Sequence, residues 1–152
     1  DPVKERRDLA LESLPDARAY RRYEDLLADP DVELVDLATR SDEHAAHVLQ
    51  ALKTRKWVHV ERPFCCDYDQ AMVLRAAAIK AGNRLLVRHN YRYEPAFLQV
   101  KEVIDSGVLG EIYDIKIRRG AYERRDDWQT VKRCGGGTAL TWGPAFLDQA
   151  LP

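Results

Sequence analysis

Three stretches of the chain concentrate polar and ionisable side chains directly after apolar runs: Thr39 to His44, Glu61 to Phe64 and His89 to Tyr93. In an open parallel sheet, ligands bind outside the carboxyl ends of the strands, so a site is expected where such stretches meet. Thr39, Arg40, Ser41, His44, Glu61, Arg62 and Asn90 are the candidate contacts they offer. Arg62 keeps its proton at any working pH, so it can position a substrate oxygen but cannot readily accept a proton. His44 stands three residues after a capping position and reads either as a satisfied helix-start group or as a ligand contact. His47 and His59 read as structural. Further on, Gly135-Gly136-Gly137 precedes Thr141, Ala145 and Asp148. That segment is either a glycine turn followed by core aromatics, Trp142 and Phe146, or part of a site in which Asp148 orients a partner.

The elements that must position these groups follow from periodicity. Glu33 to Thr39 is a compact apolar run suited to a strand buried on both faces, and Ser41-Asp42 can cap the helix that follows to Lys53. Trp57 to Val60 is β-branched and aromatic, hence a second strand running into Glu61-Arg62-Pro63. Asp67 to Ala81 reads as a helix stopped by Gly82, and Arg84 to His89 as a third strand. Short strands alternating with longer helices predict βαβ units, a parallel sheet and helices on both faces. Two weaker helical segments precede them, one entered at Asp1-Pro2 and one around Tyr23 to Leu27. After Tyr93 the texture changes. Glu94 to Ser106 is an amphipathic helix, and Glu111 to Gly120 alternates as a strand wet on one face would, which predicts a second, more open sheet. A domain change is expected there, giving a unit over residues 1–93 and another over residues 94–152.

Composition narrows the function classes. The chain has 152 residues, and 24 Lys and Arg against 25 Asp and Glu leave a formal charge of -1 with the signs mixed throughout. No general attraction to nucleic acid or anionic membrane is expected. No apolar run approaches the roughly 20 residues that cross a bilayer, and the charged opening is unlike a signal peptide, so a cytoplasmic location is expected. Cys65 and Cys66 are adjacent and Cys134 is alone, a pattern that offers neither a disulfide framework nor a spaced metal set.

Four segments, in order and spacing, resemble the Gfo/Idh/MocA family of oxidoreductases (glucose-fructose oxidoreductase, inositol dehydrogenase and relatives). ELVDLATRSDEHAAHVLQALKTRKWVHVERP resembles its strand, turn, helix, strand unit ending in Glu-Lys-Pro. VRHNYRYEPAF resembles the strand end leading into the second domain. SGVLGEIYDIKIRRG resembles the entry to the open substrate-side sheet, and GGGTALTWGPAFLDQAL resembles the catalytic turn and helix. The resemblance implies a partial Rossmann-like, doubly wound sheet that lacks its first βα unit, followed by the start of an α+β substrate domain. The chain is then an incomplete piece, cut at both ends.

In function the resemblance implies NAD or NADP as cofactor and a sugar, cyclitol or similar polyol as substrate. It implies cofactor contacts from Thr39, Arg40, Ser41, His44, Glu61, Arg62 and Asn90. Asp1 matches the acidic strand end that holds the adenosine ribose, although a simple helix-entry role is equally open. The family's Gly-rich phosphate loop has no counterpart, because all eight glycines lie at or after Gly82. Weak or no dinucleotide binding is therefore expected of this chain alone. Three catalytic positions depart from the pattern: the family's lysine is Arg62, its aspartate Thr141 and its histidine Ala145. Arg62 and Asp148 remain as the candidates for substrate positioning and orientation, and no activity is expected. Trp128 and its neighbours would line a sugar-sized cleft. The alternative is a non-catalytic binding or assembly module on the same fold, with Ile112, Ile115 and Ile117 offering the face through which family members pair.

Overall fold

A computed structural model describes residues 1–151. Two short helices come first, α1 (Lys4–Ser13) and α2 (Tyr23–Ala28). They are followed by β1 (Leu34–Leu37), α3 (Ser41–Lys53), β2 (Trp57–Val60), α4 (Tyr68–Lys80) and β3 (Leu85–Val87). The three strands form one parallel sheet in the order β1-β2-β3, with Leu34 opposite Trp57 and Val58 opposite Leu85. This is the α/β arrangement that the alternation of short strands and longer helices predicts. Because the strands run the same way, their carboxyl ends share one edge. The Thr39 turn, the Glu61-Arg62-Pro63 turn and the His89–Tyr93 segment all leave from it.

Helices α3 and α4 pack on one face of the sheet. Val48, Ala51, Leu52 and Leu74 meet Val35, Leu37, Val58 and Val60 there to form the core, joined by Leu27 from α2. Burial along β1 and β2 alternates, so the expectations of a strand buried on both faces and of helices on both faces are corrected. Leu34, Trp57 and Leu86 on the other face are 52%, 43% and 49% exposed. On that face Asp36 and His59, opposite each other in register, pair at 2.9 Å. His59 thus serves as a cross-strand partner.

Local signals explain most element ends. Asp67 caps α4 by accepting the Gln70 N–H at 2.8 Å. Helix α3 starts one residue earlier than a Ser41-Asp42 cap predicts: Arg40 is the capping residue and makes no side-chain cap bond. Asp42 and Glu43 instead place their charge in the first turn, where the helix dipole favours it. The turn before β1 is held by Lys56, whose ammonium donates to the carbonyls of Asp29 and Val32 at 2.7 and 2.6 Å.

Beyond β3, a 3-10 turn (Asn90–Tyr93) leads into α5 (Pro95–Asp105), with Pro95 at its first position. The strand expected over Glu111 to Gly120 is absent. The alternation exists in the residues, but among the described residues nothing pairs with this stretch, and a strand exists only by pairing. Two 3-10 turns (Trp128–Thr130 and Lys132–Cys134) then bring the glycine run back to the sheet, and α6 (Thr138–Ala150) packs against the Asn90–Tyr93 turn. No helix among the described residues is long and apolar enough to cross a membrane.

Candidate functional site: a cleft at the carboxyl edge of the sheet

The carboxyl ends of β1 and β2 open into a cleft of about 320 Å³. Thr39, Ser41 and His44 line it from the β1 side, and Glu61, Arg62 and Pro63 from the β2 side. The far wall is non-local: Arg125, Trp128 and Gln129 from the loop, Thr141 and Trp142 from α6.

His44 is 1% exposed and both its ring nitrogens face backbone oxygens: Nδ1 lies 2.8 Å from the Pro63 carbonyl and Nε2 3.0 Å from that of Thr39. A neutral ring carries one N–H and so donates to one of the two at a time. Either way no nitrogen is left over for a ligand, and the ring pins the two strand-end turns together. Thr39 Oγ1 is 3.2 Å from His47 Nδ1, and the His47 ring lies 4.9 Å from Tyr23.

Glu61 and Arg62 form the floor. The Glu61 carboxylate pairs with Arg88 at 3.1 Å and accepts the Arg62 backbone N–H. The peptide between Arg62 and Pro63 is cis. The Arg62 guanidinium donates to the Thr141 carbonyl, while its carbon lies 4.8 Å from the centre of the Tyr91 ring and 4.9 Å from that of Trp142. Its Nε is buried without a hydrogen-bond partner among the described residues. A second guanidinium, Arg119, sits 3.7 Å from the Trp142 ring and 5.6 Å from Tyr91. Tyr91 and Trp142 themselves meet edge to face at 5.6 Å.

The glycine run is a close-packed joint rather than a flexible turn. Gly135 has φ +73°, and a Cβ there would lie 2.7 Å from Ser41 Cβ and 2.8 Å from Cys66 Sγ. At Gly136 it would lie 2.4 Å from the Gln129 carbonyl oxygen. Backbone replaces side chain at this contact, which lets the loop seat on the start of α3.

The other predicted residues fall in three places. Arg40 is exposed and pairs with Glu43 and Asp42 at 3.0 and 3.5 Å. Asn90 follows the end of β3 on the same sheet edge, exposed and outside the lining. Asp1 accepts the Val3 N–H at 2.8 Å, a helix-entry contact, and is not part of the cleft. Asp148 also lies off the lining. Arg92 grips it with two bonds of 2.5 and 2.6 Å, His89 stands 3.5 Å away, and the Arg92 hydrogen bonds hold its carboxyl below the usual range. This clamp fixes α6 to the turn after β3. Ala145 is 2% exposed, inside the helix packing, one turn beyond Thr141.

Sequence reasoning placed Tyr91 and Arg92 within the His89 to Tyr93 stretch without assigning either a contact, did not place Arg119 beside Trp142, and took Trp142 only as a core aromatic in one of two readings. Tyr91 and Trp142 were visible as aromatics near strand-end or glycine-rich segments, but no local period joins them. The Arg92 to Asp148 pair leaves no signal in the chain, since each residue has ordinary neighbours.

A nucleotide-type sheet with its cleft at the carboxyl edge defines the class. Residues 3–89 match the model of the GFO_IDH_MocA oxidoreductase family, described by its NAD-binding Rossmann fold, and the chain belongs to this family. It is 31% identical over 90% of its length to scyllo-inositol 2-dehydrogenase (NADP(+)) of Bacillus subtilis, covering 39% of that protein. It is 34% identical over 97% of its length to 1-carboxy-3-chloro-3,4-dihydroxycyclo hexa-1,5-diene dehydrogenase of Comamonas testosteroni, covering 38% of it. Among solved structures, an NAD-binding protein from Listeria innocua superposes with a TM-score of 0.89 at 31% identity, across 98% of this chain and 42% of that one. The chain thus spans about two-fifths of the length of the relatives it matches.

Proposed function

We infer that this chain forms the substrate-facing rim of an NAD(P)-dependent oxidoreductase that moves a hydride between the nicotinamide and a hydroxyl-bearing carbon of a sugar, cyclitol or similar polyol. A unit over residues 1–93 belongs to the cofactor side and residues 94–152 begin the substrate side, in a protein of the cytoplasm. The observation that carries this reading is the cleft, where the β1 and β2 strand ends meet α6 around a polar floor. The Bacillus subtilis relative is a dehydrogenase of scyllo-inositol, a cyclic polyol, which agrees with that size of ligand.

The donor set fits the nicotinamide end of the cofactor and not its phosphates. Thr39, Glu61 and Arg62 offer hydroxyl, carboxylate and guanidinium groups at the rim, whereas no glycine precedes Gly82 to let backbone N–H groups close on a pyrophosphate. When bound, the nicotinamide supplies the hydride acceptor. Arg62 then orients the substrate hydroxyl, and Trp128 and Trp142 exclude water from one side. Proton removal is the missing step. Arg62 cannot accept a proton, Thr141 and Ala145 carry no titratable group, the Glu61 carboxylate is held by Arg88 and the Arg62 N–H, and Asp148 is consumed by Arg92. The chain therefore binds without turning over.

NADH titrated into the isotope-labelled chain tests this reading by amide shift mapping. Weak, saturable changes at Thr39 to His44, Glu61-Arg62 and Asn90 are expected. Changes scattered over the molecule, or confined to α1 and α2, would overturn it.

A further inference from the structure

The stretch from Glu111 to Gly120 has the alternation of a strand and forms none in the single chain. Among the described residues none of its backbone N–H or carbonyl groups bonds to another backbone group. Its apolar side chains are open to solvent, with Ile112, Tyr113, Ile115 and Ile117 at 40%, 96%, 52% and 40% exposed. Asp114 and Lys116 pair at 2.7 Å, as side chains two apart on one side of an extended run can. An unpaired run of this kind is a template for another strand.

The complementary strand is the same strand reversed. Two copies laid antiparallel about a two-fold axis at Ile115 put Asp114 opposite Lys116 twice, Tyr113 opposite Ile117 twice, and Ile115 opposite its own copy. Opposite charges, and an aromatic ring against a β-branched side chain, are favourable cross-strand pairs. Gly110 and Gly120 stand at equal distances from that axis and mark both ends of the run. Neighbouring registers lose the match. An axis at Asp114 sets that carboxylate against itself, and an axis at Lys116 does the same with the ammonium. An axis halfway to either neighbour of Ile115 sets Asp114 against Ile115 or Ile117. Arg119 is already seated on the Trp142 ring at 3.7 Å, so the pairable run ends at Arg118.

We propose that two copies of this chain associate edge to edge through Ile112 to Arg118, as antiparallel strands centred on Ile115. Main-chain hydrogen bonds supply the attraction, and the Asp114 and Lys116 charges fix the register. A two-stranded ribbon is marginal by itself, so the dimer is weak and depends on concentration.

Sedimentation equilibrium of the full chain, loaded from about 10 µM to about 1 mM to span a weak association, tests this. A monomer–dimer equilibrium is expected. Asp114→Lys and Lys116→Asp each set like charges opposite one another at both symmetry-related places, and each should weaken the dimer by about 10-fold or more. The double variant, Asp114→Lys with Lys116→Asp, restores opposite charges and should recover most of the association. Both side chains are exposed, at 49% and 74%, so circular dichroism of the monomer should be the same in all three variants. Amide exchange over Ile112 to Arg118 should slow at high concentration. A chain that stays monomeric throughout overturns the proposal. So does a dimer indifferent to the single reversals, whose contact would lie elsewhere, as on the exposed Leu98, Val100 and Ile104 of α5. A double variant that associates no better than the single ones overturns it too.

Discussion

Replacing Gly135 by alanine isolates the joint that seats the glycine loop on the start of α3. Gly135 and Gly82 share nearly the same backbone, φ +73° and +76°, but a Cβ at Gly82 meets nothing within 4 Å. At Gly135 it would sit 2.7 Å from Ser41 Cβ and 2.8 Å from Cys66 Sγ. An alanine at either position pays the left-handed strain of about 1–2 kcal/mol and gains the same reduction in unfolded-state entropy. Only Gly135→Ala adds overpacking, about 1–3 kcal/mol. Its total of about 2–5 kcal/mol is a large share of a typical domain stability of about 5–15 kcal/mol. Guanidinium unfolding of both variants, followed by circular dichroism, reads the difference directly. A double-mutant cycle with Cys66→Ala should return part of the loss, because it removes the Sγ contact and leaves that with Ser41. If Gly135→Ala lies within about 0.5 kcal/mol of Gly82→Ala, the joint is not the tight contact described.

Three further outcomes follow from specific contacts. Lys56→Met leaves the Asp29 and Val32 carbonyls without their ammonium donor and should cost about 1–3 kcal/mol by chemical denaturation, with local exchange rising around Asp29 to Val32. Asp29 is pulled down to about 2 by the Tyr20 hydroxyl, then by the Asp31 N–H and Arg18, and Asp148 is lowered by Arg92. The stability from both is whole above the ordinary carboxylate value of about 3.9 and is lost as pH falls through the folded-state values, so Asp29→Asn and Asp148→Asn should each flatten the acid limb of a stability-against-pH curve. Burial pushes the Cys65 and Cys66 thiols above their usual value, so alkylation followed by mass spectrometry at neutral pH should be slower than for a free thiol and should accelerate on unfolding.

The strands are readable because each is a short apolar run bounded by turn residues, and the same pattern puts Thr39, Ser41, His44, Glu61 and Arg62 at strand carboxyl ends, where they line one cleft. Which faces are covered was not readable, since an apolar residue such as Trp57 or Leu86 reads the same whether or not a helix lies over it. Glu111 to Gly120 shows the same limit, because alternation states a preference for pairing and pairing needs a partner. The far wall of the cleft depends on contacts between residues distant in the chain. Gly135 meets Ser41, Arg62 meets Trp142, and Arg92 meets Asp148, and no local pattern encodes any of these meetings. His44 is legible as a candidate, while its commitment to the Thr39 and Pro63 carbonyls joins two strand-end turns and so leaves no local signal.

Hydride transfer tests most directly the proposal that this chain's cleft binds without taking the proton, its Glu61 carboxylate being held by Arg88. A Gly-rich strand, turn and helix unit joined ahead of Asp1 supplies the phosphate cradle, and calorimetry confirms that NAD or NADP binds before the assay begins. Formation of reduced nicotinamide is then followed by absorbance with glucose, myo-inositol, scyllo-inositol and glucuronate. No turnover above background is expected from the otherwise unaltered chain. Sustained reduction of the cofactor by any of these substrates would contradict the account, and would mean that a side chain such as His89, Tyr91 or Tyr93 accepts the proton.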